Sequence, residues 1–133
     1  MTLREVLHAH IPTLTPQSTL RDAIDKMDIY QFPALVIVDD DRVPVGVITE
    51  GDIARAIHGV GGLLKLGPEP AIGFASQKPT TAGTDMEISD ALHQMLSSGI
   101  TILPVLEDGK LSGVVLRVDL MQAMLMDAAP GNP

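Results

Sequence analysis

The amino-acid sequence predicts an α/β (α+β) chain made of two copies of one unit, strand–helix–strand–strand–helix. Three observations carry this reading. First, a shift of 68 residues lays Thr13 on Thr81, Asp22 on Asp90, Ala23 on Ala91, Met27 on Met95, Leu35 on Leu103 and Asp40 on Asp108. With one residue deleted in a turn, a shift of 67 then lays Gly46 on Gly113, Val47 on Val114, Asp52 on Asp119 and Ala56 on Ala123. Self-similarity of this kind marks a repeated structural unit. Second, both copies close alike, with GVITEGD (Gly46 to Asp52) and GVVLRVD (Gly113 to Asp119), where an apolar strand runs straight into a helix. Third, within each copy a helical spacing of apolar residues gives way to a continuous β-branched run, the pattern of a helix followed by a buried strand.

The elements follow in order. Thr2-Leu3-Arg4-Glu5 has capping-box spacing and starts a short helical turn reaching about His8. The prolines between His10 and Pro16 keep that stretch extended. Ser18 and Thr19 cap a helix whose apolar face is Leu20, Ala23, Ile24 and Met27, ending near Tyr30. Ala34 to Val38 is a buried strand, Asp39-Asp40-Asp41-Arg42 a turn, and Pro44 to Thr49 the returning strand of a hairpin. A helix from about Gly51 to His58 stops at Gly59 and Gly61-Gly62. Residues 59–79 form a connector broken by Gly67, Pro68, Pro70, Gly73 and Pro79, with short turns or helices at Leu63-Leu64 and Ala71 to Ala75. The second copy is helix 87–98, strand 101–106, turn Glu107-Asp108-Gly109-Lys110, strand 111–115 and helix 118–127. A loose tail, 128–133, follows.

Composition excludes several function classes. The chain is 45% apolar but carries no Trp, one Tyr and two Phe, so its core is aliphatic and it has no base-stacking platform. A net charge of −8 argues equally against nucleic acid as a partner. Without cysteine there is no disulfide framework, thiolate nucleophile or thiolate metal site, which fits a reducing compartment. No apolar run approaches a membrane span and the first residues lack a signal-peptide pattern, so a cytoplasmic protein without membrane insertion is expected.

Paired halves that each close with Gly-apolar-apolar-x-x-x-Asp resemble the cystathionine-β-synthase (CBS) domain, and the tandem resembles a Bateman module. The resemblance rests on Thr13 and Thr81, Met27 and Met95, the strand pair Ile102 to Val115, and the GVITEGD and GVVLRVD turns. It covers nearly the whole chain. It divides the chain into repeat 1 (1–58), a connector that begins repeat 2 (59–79), repeat 2 (80–127) and the tail. It implies two repeats packed about a pseudo-twofold axis, with clefts that take adenine nucleotides or S-adenosylmethionine. It also implies a regulatory role toward an unidentified protein. A homodimer is expected, because small halves leave helix faces to cover.

The turn chemistry suits such a ligand. A carboxylate accepts hydrogen bonds from both ribose hydroxyls, and its charge strengthens them. Asp52 can do this, with Thr49 beside it. A helix N-terminus favours the phosphates. By the resemblance, Val47, Phe32, Ala34 and Leu35, with Ile100, Thr101 and Ile102, are candidates for the base slot. The resemblance also implies that the loop threonine of the opposite half joins each site, Thr81 with Thr49 and Asp52, and Thr13 with Asp119. The second turn has Leu116 where the first has Thr49, and gains Arg117, a candidate phosphate partner like Arg55. The Asp52 site is therefore expected to bind better and the Asp119 site weakly or not at all. Val36 stands where Pro104 stands in the second half, and Pro33 occupies the position of Thr101, which removes one backbone donor near the base.

Plainer readings stand beside these. Thr-x-x-Asp ahead of a helix is also a capping arrangement. Asp39-Asp40-Asp41 lacks the alternation, glycine and distal glutamate of a calcium loop and reads as a solvated turn. His8, His10, His58 and His93 have no metal-ligand spacing. Met121, Met124 and Met126 suit a core or a dimer face. No nucleophile elbow, phosphate loop or acid–base pair is present, so no enzyme activity is expected. The alternatives left open are an interaction module that dimerises with empty clefts and a Mg²⁺-responsive regulatory module.

Overall fold

The computed structural model of the chain describes residues 1–60 and 63–127; the expected Gly61-Gly62 helix stop and the tail 128–133 lie outside the described residues. Two compact units form, Pro12–Pro79 and a second one joining Met1–Ile11 to the chain from Thr80 onward. The units thus differ from the sequence repeats: the stretch ahead of each repeat belongs with the other repeat.

In the unit 12–79, β1 (Thr13–Leu14) runs parallel to β2 (Ala34–Val38), which pairs antiparallel with β3 (Pro44–Thr49). Helix α1 (Leu20–Tyr30) starts at Thr19, whose hydroxyl accepts the Asp22 N–H while Asp22 accepts the Thr19 N–H. It ends at Gln31 in the left-handed region, φ 57°. Helix α2 (Glu50–Val60) runs through Gly59 rather than stopping there. A glycine weakens a helix by about 1 kcal/mol relative to alanine but ends it only where it turns left-handed. Leu20, Ala23 and Met27 of α1 and Ile53 of α2 close over Leu35, Ile37 and Ile48 of the sheet.

The connector joins this same core. After α3 (Leu63–Leu66), Leu66 and Ala71 are buried in it, and Ala71 N–H donates to the Ser18 carbonyl at 2.9 Å. Ser76 exchanges two backbone hydrogen bonds with Val47, 2.9 and 3.0 Å, extending the sheet past β3.

The other unit repeats the plan with β4 (Ala82–Gly83), α4 (Ile88–Ser98), β5 (Ile102–Glu107), β6 (Lys110–Leu116) and α5 (Arg117–Asp127). Its hairpin turn is one residue shorter than the first, with Asp108 and Gly109 both at positive φ, as a tight hairpin requires. Residues 1–11 occupy the place that 69–79 take in the other unit. Leu3 is fully buried in this core, and His8 exchanges two backbone hydrogen bonds with Val114 at 2.8 and 3.1 Å. The glycines of the closing motifs make these straps possible. A Cβ on Gly46 would lie 3.3 Å from the Ser76 carbonyl oxygen, whereas one on Gly113 would overlap the His8 carbonyl oxygen and approach Leu7 Cδ1 to 2.6 Å.

Candidate functional site

In the unit 12–79 the strand–helix turn is a reciprocal capping box. Thr49 N–H donates to Asp52 Oδ2 at 2.9 Å and Asp52 N–H donates to Thr49 Oγ1 at 3.1 Å. This is the capping arrangement the spacing allows, and it holds one carboxylate oxygen in place. The other, Oδ1, accepts from Arg55 Nη2 at 2.7 Å. The Asp52 side chain is only 15% exposed, while that of Arg55 is 74% exposed. The acid is fixed, and its partner is a long, solvated side chain on the same helix.

Strand register sorts the base-slot candidates. Ala34 lies opposite Thr49, Val36 opposite Val47 and Leu35 opposite Ile48. Side chains alternate across a sheet and directly opposed pairs share a face. Ala34, Val47 and Thr49 therefore share the face away from the helices. Leu35 points into the core with Ile48, which removes it from any base slot. Phe32 is half-buried against that same core and lines a groove of about 630 Å³ with Ile24, Met27, Ile53 and Ile57. Thr13 lies in β1 opposite Val36, and its carbonyl accepts from Lys26 Nζ at 2.7 Å. The Pro33 carbonyl accepts the Glu50 N–H at 3.0 Å.

The matching turn of the other unit keeps half of this design. Leu116 N–H donates to Asp119 Oδ2 at 2.8 Å, but leucine returns nothing to the Asp119 N–H. The same Oδ2 meets His8 Nε2 at 2.8 Å. Ile102 and Leu116 are opposed and share the face of Val114 and Pro104, the counterpart of the Ala34–Thr49 face. Ile100 is different: its N–H donates to the Met95 carbonyl behind the left-handed Gly99, and its side chain packs on the core. Its position is explained by helix termination. Thr101 is exposed, Thr81 is half-buried just ahead of β4, and Arg117 opens α5 half-buried.

His8 is the residue that sequence reasoning missed, having weighed it only as a metal ligand. Nothing in its spacing points to Asp119. Among the described residues no group of three or more His, Asp or Glu could hold a metal ion, and Asp39 Oδ1 instead accepts the N–H groups of Asp41 and Val43 to shape its turn. Among the described residues no helix is long and apolar enough to cross a membrane.

Two α/β repeats, each closed by a carboxylate folded back on a strand–helix turn, define the class of protein. Comparison with known proteins makes it explicit. The CBS domain family matches residues 3–59 and 72–126, and the chain belongs to that family. An uncharacterised protein of Methanopyrus kandleri is 32% identical over 121 residues, a match spanning 89% of this chain and 60% of that relative. A CBS-domain protein of Agrobacterium tumefaciens superposes with a TM-score of 0.84 at 20% identity, over 93% of this chain and 99% of that one. The structure of CBSX2 in complex with AMP gives 0.83 at 21% identity, over 96% and 98%. At these identities the likeness of the solved structures carries the fold.

Proposed function

We propose that this chain is a regulatory module that senses an adenosine-containing nucleotide, of the AMP, ADP, ATP or S-adenosylmethionine type, at the Thr49–Asp52 turn. The observation that carries the proposal is the state of Asp52. Its carboxylate is largely buried and oriented by the Thr49 N–H, yet its second oxygen is held, among the described residues, by the exposed Arg55. A ribose hydroxyl can take the place of that guanidinium, and the displaced Arg55 can turn to a phosphate. The N-terminus of α2 supplies a favourable potential for the same anion. The AMP complex of a protein with this fold supports the choice of ligand class. Ligand then shifts a conformational equilibrium by the difference in its affinity for the two states.

Isothermal titration with AMP, ATP and S-adenosylmethionine tests the proposal, with Asp52→Ala and Arg55→Ala beside wild type. Binding lost in Asp52→Ala and weakened for the phosphate-bearing ligands in Arg55→Ala is the expected result. Equal affinity in wild type and Asp52→Ala would remove the ribose assignment.

A second reading concerns assembly. Helix α5 leaves Val118, Met121, Leu125 and Met126 at 60, 49, 69 and 61% exposure, an apolar surface that suits a homodimer face. Light scattering of wild type against Met121→Glu/Leu125→Glu tests it. A dimer converted to monomer is expected, and a monomeric wild type would end this reading.

A further inference from the structure

The helix pairs of the two units carry equivalent positions of opposite character. In the unit 12–79 the groove of about 630 Å³ between α1 and α2 has an apolar lining that includes Ile24, Phe32, Ile53 and Ile57, and its charged lining residues are two carboxylates, Asp28 and Glu50. Glu50, Ala54 and Ile57 are spaced i, i+4 and i+7 along α2 and so share one face of it. The small Ala54 leaves that face hollow. A shift of 67 lays Arg117 on Glu50, Met121 on Ala54 and Met124 on Ile57, and a shift of 68 lays Leu96 on Asp28. The matching face of α5, packed beside α4, is therefore filled by long apolar side chains and headed by a cation. Leu96, Met121 and Met124 are exposed. Among the described residues, none of Asp28, Glu50 and Arg117 forms an ion pair.

We propose that the α4–α5 ridge of one copy of this chain seats in the α1–α2 groove of a second copy, with Arg117 set against Glu50 and Asp28 and with Met121 filling the space above Ala54. This rests on the reading of α5 as a homodimer face, and it names the surface that α5 meets. Charge and shape choose among the possible pairings. Groove on groove would gather four carboxylates, and like charges brought together across an interface oppose binding. Ridge on ridge would set bulk against bulk and leave the groove uncovered. Ridge in groove joins unlike charges and puts flexible methionines, which fill irregular apolar gaps, into a hollow. Each copy offers one ridge and one groove, so two chains can make the contact twice, reciprocally.

Charge reversal tests the pairing, with mass read by light scattering over a dilution series. Glu50→Arg alone puts a cation in both the groove and the ridge, and Arg117→Glu alone puts an acid in both. Each should raise the dimer dissociation constant about tenfold or more. An equimolar mixture of the two variants should return to the wild-type constant, because the chains then complement each other at both contacts. Ala54→Met fills the groove without touching a charge or lowering helix propensity much, and it too should weaken the dimer. Circular dichroism confirms that each variant is folded, and Ala54→Met decides the case if a charge variant is not. A wild-type dimer left unchanged by Glu50→Arg or, where that variant does not fold, by Ala54→Met overturns the pairing and leaves α5 as a homodimer face. Two folded charge variants that stay dissociated when mixed also overturn it. A monomeric wild type removes the homodimer reading and the pairing together.

Discussion

The Thr49–Asp52 turn and the Leu116–Asp119 turn are the same piece of architecture with the acid held in two ways. Both end an antiparallel strand, both fold an aspartate back onto a strand N–H, and both sit beside a strap that extends the sheet. In the first, a threonine completes the box and a solvent-exposed arginine meets the outer oxygen. In the second, the hydroxyl is gone and the strap's histidine meets the carboxylate. The contrast shows that the same closing aspartate can be held by different partners.

The sharpest way to break the comparison is to delete each acid in turn. Asp52→Ala should weaken AMP binding by roughly a hundredfold, since hydrogen bonds to a charged group contribute about 1.5–3 kcal/mol each. Asp119→Ala should leave the affinity within about twofold. Titration calorimetry reads both, and equal losses would mean that the two turns are equivalent.

The straps give the next largest effect. Gly113→Ala forces a methyl onto the His8 carbonyl and should cost about 1–3 kcal/mol in urea unfolding, the usual range for overpacking. Gly46→Ala meets Ser76 at 3.3 Å and should cost clearly less. Equal destabilisation would show that the straps are equally tight.

Exchanging the cap residues sharpens the point. Thr49→Val removes the hydroxyl that accepts the Asp52 N–H and should lose about 1 kcal/mol. Leu116→Thr restores the missing half of the second box and should recover about 0.5 kcal/mol, less the apolar contact given up. A stabilising Thr49→Val would show that the cap contributes nothing.

The smallest effect lies at α1. The Thr19 N–H, then the Thr19 hydroxyl, hold the Asp22 carboxyl below its ordinary value. A carboxylate lowered in the folded state stabilises above its unfolded pKa, about 3.9, and that contribution fades as pH falls through the lowered value. Asp22→Asn should thus flatten the stability curve below about pH 4 while also lowering its plateau slightly. An unchanged acid limb would show that this box is silent.

Much of the fold was legible in the residues. The hairpins, the helix faces and the Thr19–Asp22 and Thr49–Asp52 boxes follow from spacing and propensity, because their partners are three or four residues apart or alternate along one strand. The register then divided the candidate site in a way composition could not. Ala34, Val47 and Thr49 share a face, whereas Leu35 and Ile100 are committed to the cores. The connector is broken by prolines and glycines, yet Leu66, Ala71 and Ser76 are built into the core and sheet of the unit 12–79. Breakers prevent regular structure, but they do not prevent docking.

By itself the sequence determined the repeat, the order of elements within it, and the loss of a hydroxyl at Leu116. These are local properties, set by each residue's neighbours along the chain. Only the tertiary structure decided which strap lies on which sheet and what meets each aspartate. His8 and Asp119 are 111 residues apart, and a contact over that distance leaves no periodic trace in the chain. It exists because Leu3 is buried in a core assembled largely from residues after Thr80, carrying His8 to the edge of β6.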